Sequence, residues 1–251
     1  MSSPRVVFGA RPVQEVLRAR PQEVQALYVA AGRRREAWLD AALAALPVES
    51  EHREARSLDR LARGGTHQGL VAIVGAYPYL AFEDLLERAV RAPDAALVVL
   101  DQVQDPGNLG AIIRSAYALG AVGVVLPERR AAAVTATVVK TSAGATEHLP
   151  IARVTNLARA LAAIREAGHW LVGAVGAAGK PPETLDLVDR AVLVLGSEGQ
   201  GLRRTTREKC DFLVTVPMAG GLDSLNVSVT AGILLAEAAR QRRLTRSSSG
   251  S

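Results

Sequence analysis

From residue 95 onward the chain is built of short apolar runs that do not alternate, at 97–100, 122–126, 170–175, 191–195 and 212–216. A strand with one wet face alternates polar and apolar residues. An unbroken apolar run says that both faces are buried, which is the mark of a parallel sheet covered by helices. Helical periodicity at 109–119, 131–140, 157–167 and 227–240 separates most of these runs. The pattern therefore predicts an α/β fold with a parallel sheet over residues 94–243.

The preceding residues have a different texture. Residues 6–8, 24–30 and 69–75 read as strands, and 12–18 and 35–46 as helices, the first with Pro12 early and the second closed by Pro47. This predicts a small α/β domain over residues 1–76. Residues 77–93, bracketed by Pro78 and Pro93 around an amphipathic stretch at 82–90, are expected to be a linker. The serine-rich end, 244–251, is expected to be disordered.

Hydrophobic residues make up 49% of the 251 and charged residues 22%, so the chain can bury a substantial core. No apolar run approaches the roughly 18 residues that a membrane span needs. Residues 1–5 lead into no signal-peptide core, so a cytoplasmic protein is expected. Cys210 is the only cysteine, and His52, His67, His148 and His169 are scattered without zinc-ligand spacing, so no metal is expected. The net charge is +5, and all but three of the thirty basic residues are arginine. That balance suits a polyanionic partner, although a GC-rich genome explains arginine and alanine equally well. The excess is denser in residues 1–76, with eleven basic and eight acidic residues, against nineteen and seventeen in the rest.

Three blocks carry polar residues in the places where such a sheet binds ligands. The first runs from Leu100 through Asp105-Pro106-Gly107-Asn108 to Arg114: a buried strand, a Pro-Gly turn and a helix. Asn108 suits the helix N-cap. Arg114 lies about 200° round the wheel from Ile112 and points away from the buried stripe. A capping Asn and a solvated Arg are also ordinary features. The second block, Leu195-Gly196-Ser197-Glu198-Gly199-Gln200-Gly201, sets three glycines around one carboxylate at the end of an apolar strand, where a ligand can approach the backbone. A plain tight turn is its other reading. In the third, Val216 to Thr230, Ser224, Asn226 and Ser228 alternate with apolar residues before a long helix, as a ligand-binding helix start or simple capping.

Other motifs fail on spacing. Gly173, Gly176 and Gly179 read G-x-x-G-x-x-G, not the nucleotide fingerprint G-x-G-x-x-G. Gly179-Lys180 precedes proline, so it is no Walker loop. Gly196-Ser197-Glu198-Gly199 is not the hydrolase elbow.

The three blocks, as DPGNLGAIIRSA, LVLGSEGQGL and VPMAGGLDSLNVSVTAGILLAE, resemble the SpoU/TrmH branch of the SPOUT RNA methyltransferases. Residues 8–13 and 67–70 are similar to the L30e-like RNA-binding domain of that family. Residues 140–147 and 153–159 are similar to its 23S rRNA guanosine-2′-O-methyltransferase subgroup. The resemblance implies a C-terminal SPOUT domain with a deep trefoil knot, S-adenosylmethionine (SAM) as methyl donor, 23S rRNA as partner, and a homodimer whose active site is shared. It places Gly196, Val216, Leu225, Met218 and Ala174 at the cofactor, and Asn108, Arg114, Glu198, Ser224 and Asn226 at the catalytic centre. His67 either touches RNA or caps a turn.

The family proposal makes Arg114 the base, but a guanidinium does not give up its proton in proteins. A clamp on the target phosphate is the better role. Proton removal is then shared with that phosphate, Glu198 or water. Within the family the alternatives are a tRNA guanosine or an rRNA adenosine methyltransferase. Outside it stand a non-catalytic L30e-type ribosomal protein and a nicotinamide oxidoreductase.

Overall fold

The computed structural model describes residues 4–34, 36–220 and 223–248, so the first three residues, Arg35, Gly221, Leu222 and the last three residues lie outside the described part. The chain divides into two compact units.

The first unit comprises residues up to Pro78 together with Val134–His148. Its elements are β1 (Arg5–Phe8), α1 (Ala10–Ala19), β2 (Val24–Ala30), α2 (Ala37–Ala45), β3 (Ser50–Arg53), α3 (Ala55–Leu61) and β4 (Leu70–Val74). The sheet order is β1-β4-β2-β3, with only β2 and β3 parallel. Two sequence motifs meet at the start of α1. Gly9 has φ +101°, and the Gln68 side chain accepts from the Ala10 amide at 2.9 Å, so one orphan donor of the helix is satisfied from 58 residues away. His67 resolves towards its structural reading: Nδ1 accepts from the Gly69 amide at 3.0 Å and Nε2 faces Asp59 Oδ1 at 3.1 Å.

The second unit comprises Tyr79–Ala133 and Leu149 to the C-terminus. It contains α4 (Phe82–Arg91), β5 (Leu97–Leu100), α5 (Pro106–Ala118) and β6 (Gly123–Pro127). After β6 the chain leaves for the first unit, where it forms α6 (Ala136–Thr141). It returns as β7 (Ile151–Val154), α7 (Leu157–Glu166), β8 (Trp170–Ala174), β9 (Ala191–Leu195), α8 (Arg204–Arg207), β10 (Phe212–Val214) and α9 (Val227–Ser248). All six strands are parallel, in the order β10-β8-β9-β5-β6-β7. The unalternating runs are buried as expected: every residue of β5, β6 and β9 is buried. One face of the sheet, with Leu97, Val99, Val125, Val192 and Val194, packs against α4 and α7. Helices α5 and α9 pack on one another and bury Ile112, Ile113, Leu234 and Leu235.

The expected domain limits need three corrections. The linker is the covering helix α4, whose Leu85 and Ala89 are fully buried. Gly123 makes room for it, because a Cβ there would lie 2.5 Å from Leu85 Cδ1. Its proline brackets hid a core element. The 134–148 excursion belongs with the first unit, not the second. Glu147, fully buried, takes a bidentate ion pair from Arg5 at 2.7 and 2.8 Å, and Arg20 stands 3.7 Å away. Tyr77 closes the cluster by donating to Thr146 O at 2.7 Å, with the Arg5 guanidinium 5.2 Å from its ring centre. Burial pulls the Arg5 pKa down, but the bonds and charge of Glu147 outweigh that and the net shift is upward. Finally, α9 continues to Ser248 where disorder is expected from 244. Arg246 pairs with Asp94 at 2.6 Å and holds the last turns down.

Candidate functional site

A cleft of about 280 Å³ opens at the C-terminal ends of β8, β9 and β10, the end of a parallel sheet where ligands bind. Its walls come from four places: Ala174 to Gly176 after β8, Gly196 to Gly201 after β9, Val216 and Met218 after β10, and the entry to α9. All five residues expected at the cofactor, Ala174, Gly196, Val216, Met218 and Leu225, line it. Glu198 and Ser224 line it too.

The loop after β9 is a tight hairpin. Ser197 and Gly201 exchange backbone hydrogen bonds of 3.0 and 2.9 Å, and Gly199 and Gly201 have φ of +82° and +64°. Gly196 is required for a different reason: a Cβ there would lie 2.1 Å from the Gly201 carbonyl carbon and 2.2 Å from Leu202 N. Its missing side chain thus makes way for the hairpin's own backbone. The loop is anchored behind by the fully buried Asp101, which accepts from Arg203 Nε at 2.7 Å and from the Arg203 amide at 3.2 Å.

The catalytic candidates fall into two groups. Glu198, Asn108 and Asn226 form one hydrogen-bonded chain. Asn108 Nδ2 donates to Glu198 Oε1, and Asn226 Nδ2 donates to Asn108 Oδ1 at 3.1 Å. Asn226 Oδ1 in turn accepts from the Ser228 amide at 2.8 Å and the Ser228 hydroxyl at 2.7 Å. Each amide orientation follows from its neighbour, since a carboxylate only accepts. Asn226 is therefore both the N-cap of α9 and a member of the chain, so the capping and site readings hold together. Asn108 is not the cap of α5, contrary to expectation. Asp105 accepts from the Asn108 amide at 2.7 Å, with Pro106 at the first helical position, and this frees the Asn108 side chain for Glu198. Arg114 and Ser224 stand apart. Both are exposed, and neither has a hydrogen bond or ion pair with a described residue.

The near-fingerprint of glycines serves close packing instead. A Cβ on Gly173 would meet Cys210 Sγ at 2.7 Å, one on Gly176 would meet Asp223 O at 3.0 Å, and one on Gly179 would meet Val214 C at 2.6 Å. Burial, with Asp211 and Asp101 adding, pushes the Cys210 thiol up to about 12, which removes it as a nucleophile. A larger hollow of about 430 Å³ lies at the opposite ends of the strands, beside Trp170 and Asp211. Asp211 is already paired there with Arg165 at 2.8 Å, and no glycine loop offers backbone to a ligand. Among the described residues no group of His, Cys, Asp and Glu is placed to hold a metal ion.

The cleft suits a nucleoside joined to an amino acid. Apolar Ala174, Leu195, Val216, Met218 and Leu225 can take a flat base, while glycine-rich backbone and Glu198, Ser224 and Thr230 supply polar contacts.

Comparison with known proteins agrees. Residues 95–236 match the SpoU rRNA Methylase family, and residues 6–80 match the RNA 2′-O ribose methyltransferase substrate binding family. The 23S rRNA (guanosine-2′-O-)-methyltransferase RlmB of Pseudomonas aeruginosa is 44% identical over 247 residues, covering 96% of this chain and 98% of the relative. An uncharacterized tRNA/rRNA methyltransferase of Mycobacterium ulcerans is 46% identical over 94% of this chain and 77% of its own length. Among solved structures, the SpoU methyltransferase AviRb of Streptomyces viridochromogenes in complex with AdoMet superposes with a TM-score of 0.78 at 31% identity, over 95% of this chain and 90% of that one.

Proposed function

Because the chain belongs to the SpoU rRNA methylase family and is a SAM-dependent RNA 2′-O-methyltransferase, we propose that its target is a guanosine ribose of 23S rRNA, in the P loop of the peptidyl-transferase centre. The near full-length match to an enzyme named for that reaction supports this target over the tRNA guanosine and rRNA adenosine alternatives. The observation that carries the reading is the cofactor-sized cleft with the Glu198–Asn108–Asn226 chain at its rim. We propose a cytoplasmic site of action. No helix among the described residues is long and apolar enough to cross a membrane.

SAM, when bound, supplies a methyl group already activated on a sulfonium. What remains for the protein is alignment and removal of the 2′-hydroxyl proton. Gly196, Val216, Met218, Leu225 and Ala174 would hold the donor. The linked amides of Asn108 and Asn226 fix the Glu198 carboxylate at the rim, and Ser224 orients the nucleotide. Arg114, without a partner among the described residues, clamps the phosphate of the target nucleotide. The proton passes to that phosphate, Glu198 or water.

A knotted path is part of the same proposal. β10 lies between β8 and the segment Gly179-Lys180: Val175 N donates to Val214 O at 2.9 Å on one side, and Lys180 N donates to Leu213 O at 2.8 Å on the other. Both flanking segments belong to the single stretch from β8 to β9, so a later strand runs inside an earlier loop. A homodimer with a shared site is the assembly proposed. Tyr117 on α5 and Val229, Ile233 and Leu244 on α9 are exposed on two helices that pack together. Leu234, Ala238 and Ala239 of α9, by contrast, are buried within the chain.

Mapping 2′-O-methyl sites in 23S rRNA with and without the gene, by nuclease digestion and mass spectrometry, tests the target. 2′-O-methylguanosine in the P loop is expected, and methylation of a base, or of tRNA alone, refutes it. Sedimentation tests the dimer. Co-expression of Arg114→Ala with a cofactor-site variant tests the shared site. A mixed dimer then holds one intact site, restoring up to about a quarter of wild-type activity under random pairing. No recovery despite proven mixed dimers rejects sharing.

A further inference from the structure

Beside the first block, on the side away from the cofactor cleft, residues 128–133 leave the C-terminal end of β6. This loop is pinned at both ends. The Glu128 amide donates to Val154 O at 2.9 Å, Arg153 Nη2 donates to Glu128 O at 2.9 Å, and the Ala132 amide donates to Val103 O at 2.9 Å. The last bond ties it to the turn that leads into Asn108. Between the pins stand Arg129 and Arg130, both exposed and neither with a hydrogen bond or ion pair to a described residue. Other arginines of this unit are engaged. Arg91, Arg165, Arg203, Arg204, Arg240 and Arg246 are each paired with a carboxylate.

Arg130 also has φ +57°, a left-handed conformation that is unfavourable for an L-residue and that glycine adopts freely. The carboxylate nearest in sequence, Glu128, is exposed and forms no hydrogen bond or ion pair with either arginine. Two unpaired guanidiniums on a rigid loop, one of them strained, at the ligand-binding end of a sheet form a surface for a polyanion. On the reading that this chain methylates RNA, we propose that Arg129 and Arg130 bind backbone phosphates flanking the target nucleotide. They extend the track that begins at Arg114 and set which strand segment enters the site.

The test uses the full-length protein and an rRNA fragment carrying the target. For Arg129→Ala with Arg130→Ala, RNA affinity should fall tenfold or more at 150 mM salt. The slope of log affinity against log salt should be shallower by about 1.4, at about 0.7 per single-strand phosphate. SAM affinity, and kcat at saturating RNA, should stay within twofold of wild type. The double lysine variant should keep the slope. Arg130→Gly removes the backbone strain with the charge, so it should melt no lower than wild type while still losing RNA affinity. An unchanged RNA affinity and salt slope in the double alanine variant overturns the inference, as does an Arg130→Gly variant that binds RNA normally. If the wild type methylates no RNA, the proposed function itself falls, and that is seen before any variant is made.

Discussion

Gly196→Ala isolates the cofactor loop with a single methyl group. Its Cβ would lie 2.1 Å from the Gly201 carbonyl carbon and 2.2 Å from both Gly201 O and Leu202 N. Ordinary carbon contact is near 3.5 Å, so the 201–202 backbone must retreat by more than about 1 Å. That movement breaks the paired Ser197–Gly201 hydrogen bonds, worth about 1 kcal/mol each. Overpacking elsewhere adds about 1–3 kcal/mol. The opened hairpin is one wall of the cleft, so SAM affinity should fall by about one to two factors of ten, at 1.4 kcal/mol per factor. Gly199→Ala is the control. Its φ of +82° carries the left-handed cost, but nothing lies within 4 Å of its Cβ, so its effect on SAM should stay below about tenfold. Calorimetric titration of SAM, with melting curves in its presence and absence, reads both variants. A Gly196→Ala protein that binds SAM within twofold of wild type refutes the steric reasoning.

Arg114→Ala should lose nearly all turnover in a tritium-transfer assay yet bind SAM almost normally, because it stands outside the cleft; a tenfold loss of SAM affinity contradicts the clamp. Deleting residues 1–78 should not leave a clean catalytic unit, because Glu147 loses Arg5 and Arg20 while Val138 and Val139, buried in the intact chain, lose the cover of β1. That truncation should aggregate or bind a hydrophobic dye, whereas one that also replaces 134–148 by a short linker should be soluble and bind SAM with weakened RNA affinity. The Cys210 thiol, held at about 12 against an ordinary 9.0, should resist iodoacetamide at pH 8 in the folded protein and react once unfolded. Because its folded pKa is raised, the thiol contributes stability that is present below about pH 9 and lost as pH rises towards 12. Cys210→Ala should therefore flatten the alkaline limb of a melting-temperature profile.

The parallel sheet was legible because burial on both faces writes itself as unalternating apolar runs, as in Leu97 to Leu100. β3 was not, since Ser50-Glu51-His52-Arg53 is a half-exposed edge strand with no apolar pattern. β7, four residues long, gave too little signal to separate from its loop. α4 was hidden between prolines although its Leu85 and Ala89 carry the stripe. The excursion at 134–148 could not be read at all, because nothing local distinguishes a helix packed on its sequence neighbours from one packed on β1. The candidate-site residues were legible as clusters of Asn, Ser, Glu and Gly at strand ends. What joins them was not: Asn108 looked like a cap because Asp105, three residues earlier, is an equally good one.

The two groups of polar residues at the site divide the work by rigidity. Glu198, Asn108 and Asn226 come from three segments far apart in sequence, and each side chain is held by the next, ending on the helix start at Ser228. Such a chain fixes a carboxylate in position before substrate arrives, which is how alignment is converted into rate. Arg114 has no such support: its helix is fixed through Ile112 and Ile113, but its guanidinium makes no hydrogen bond or ion pair with a described residue. A charge left free on a rigid helix is organised for a group that arrives with the substrate, and a phosphate matches its geometry. On the proposed roles, the RNA brings the phosphate that Arg114 awaits, so that SAM alone would meet a lined cleft but an unfinished site.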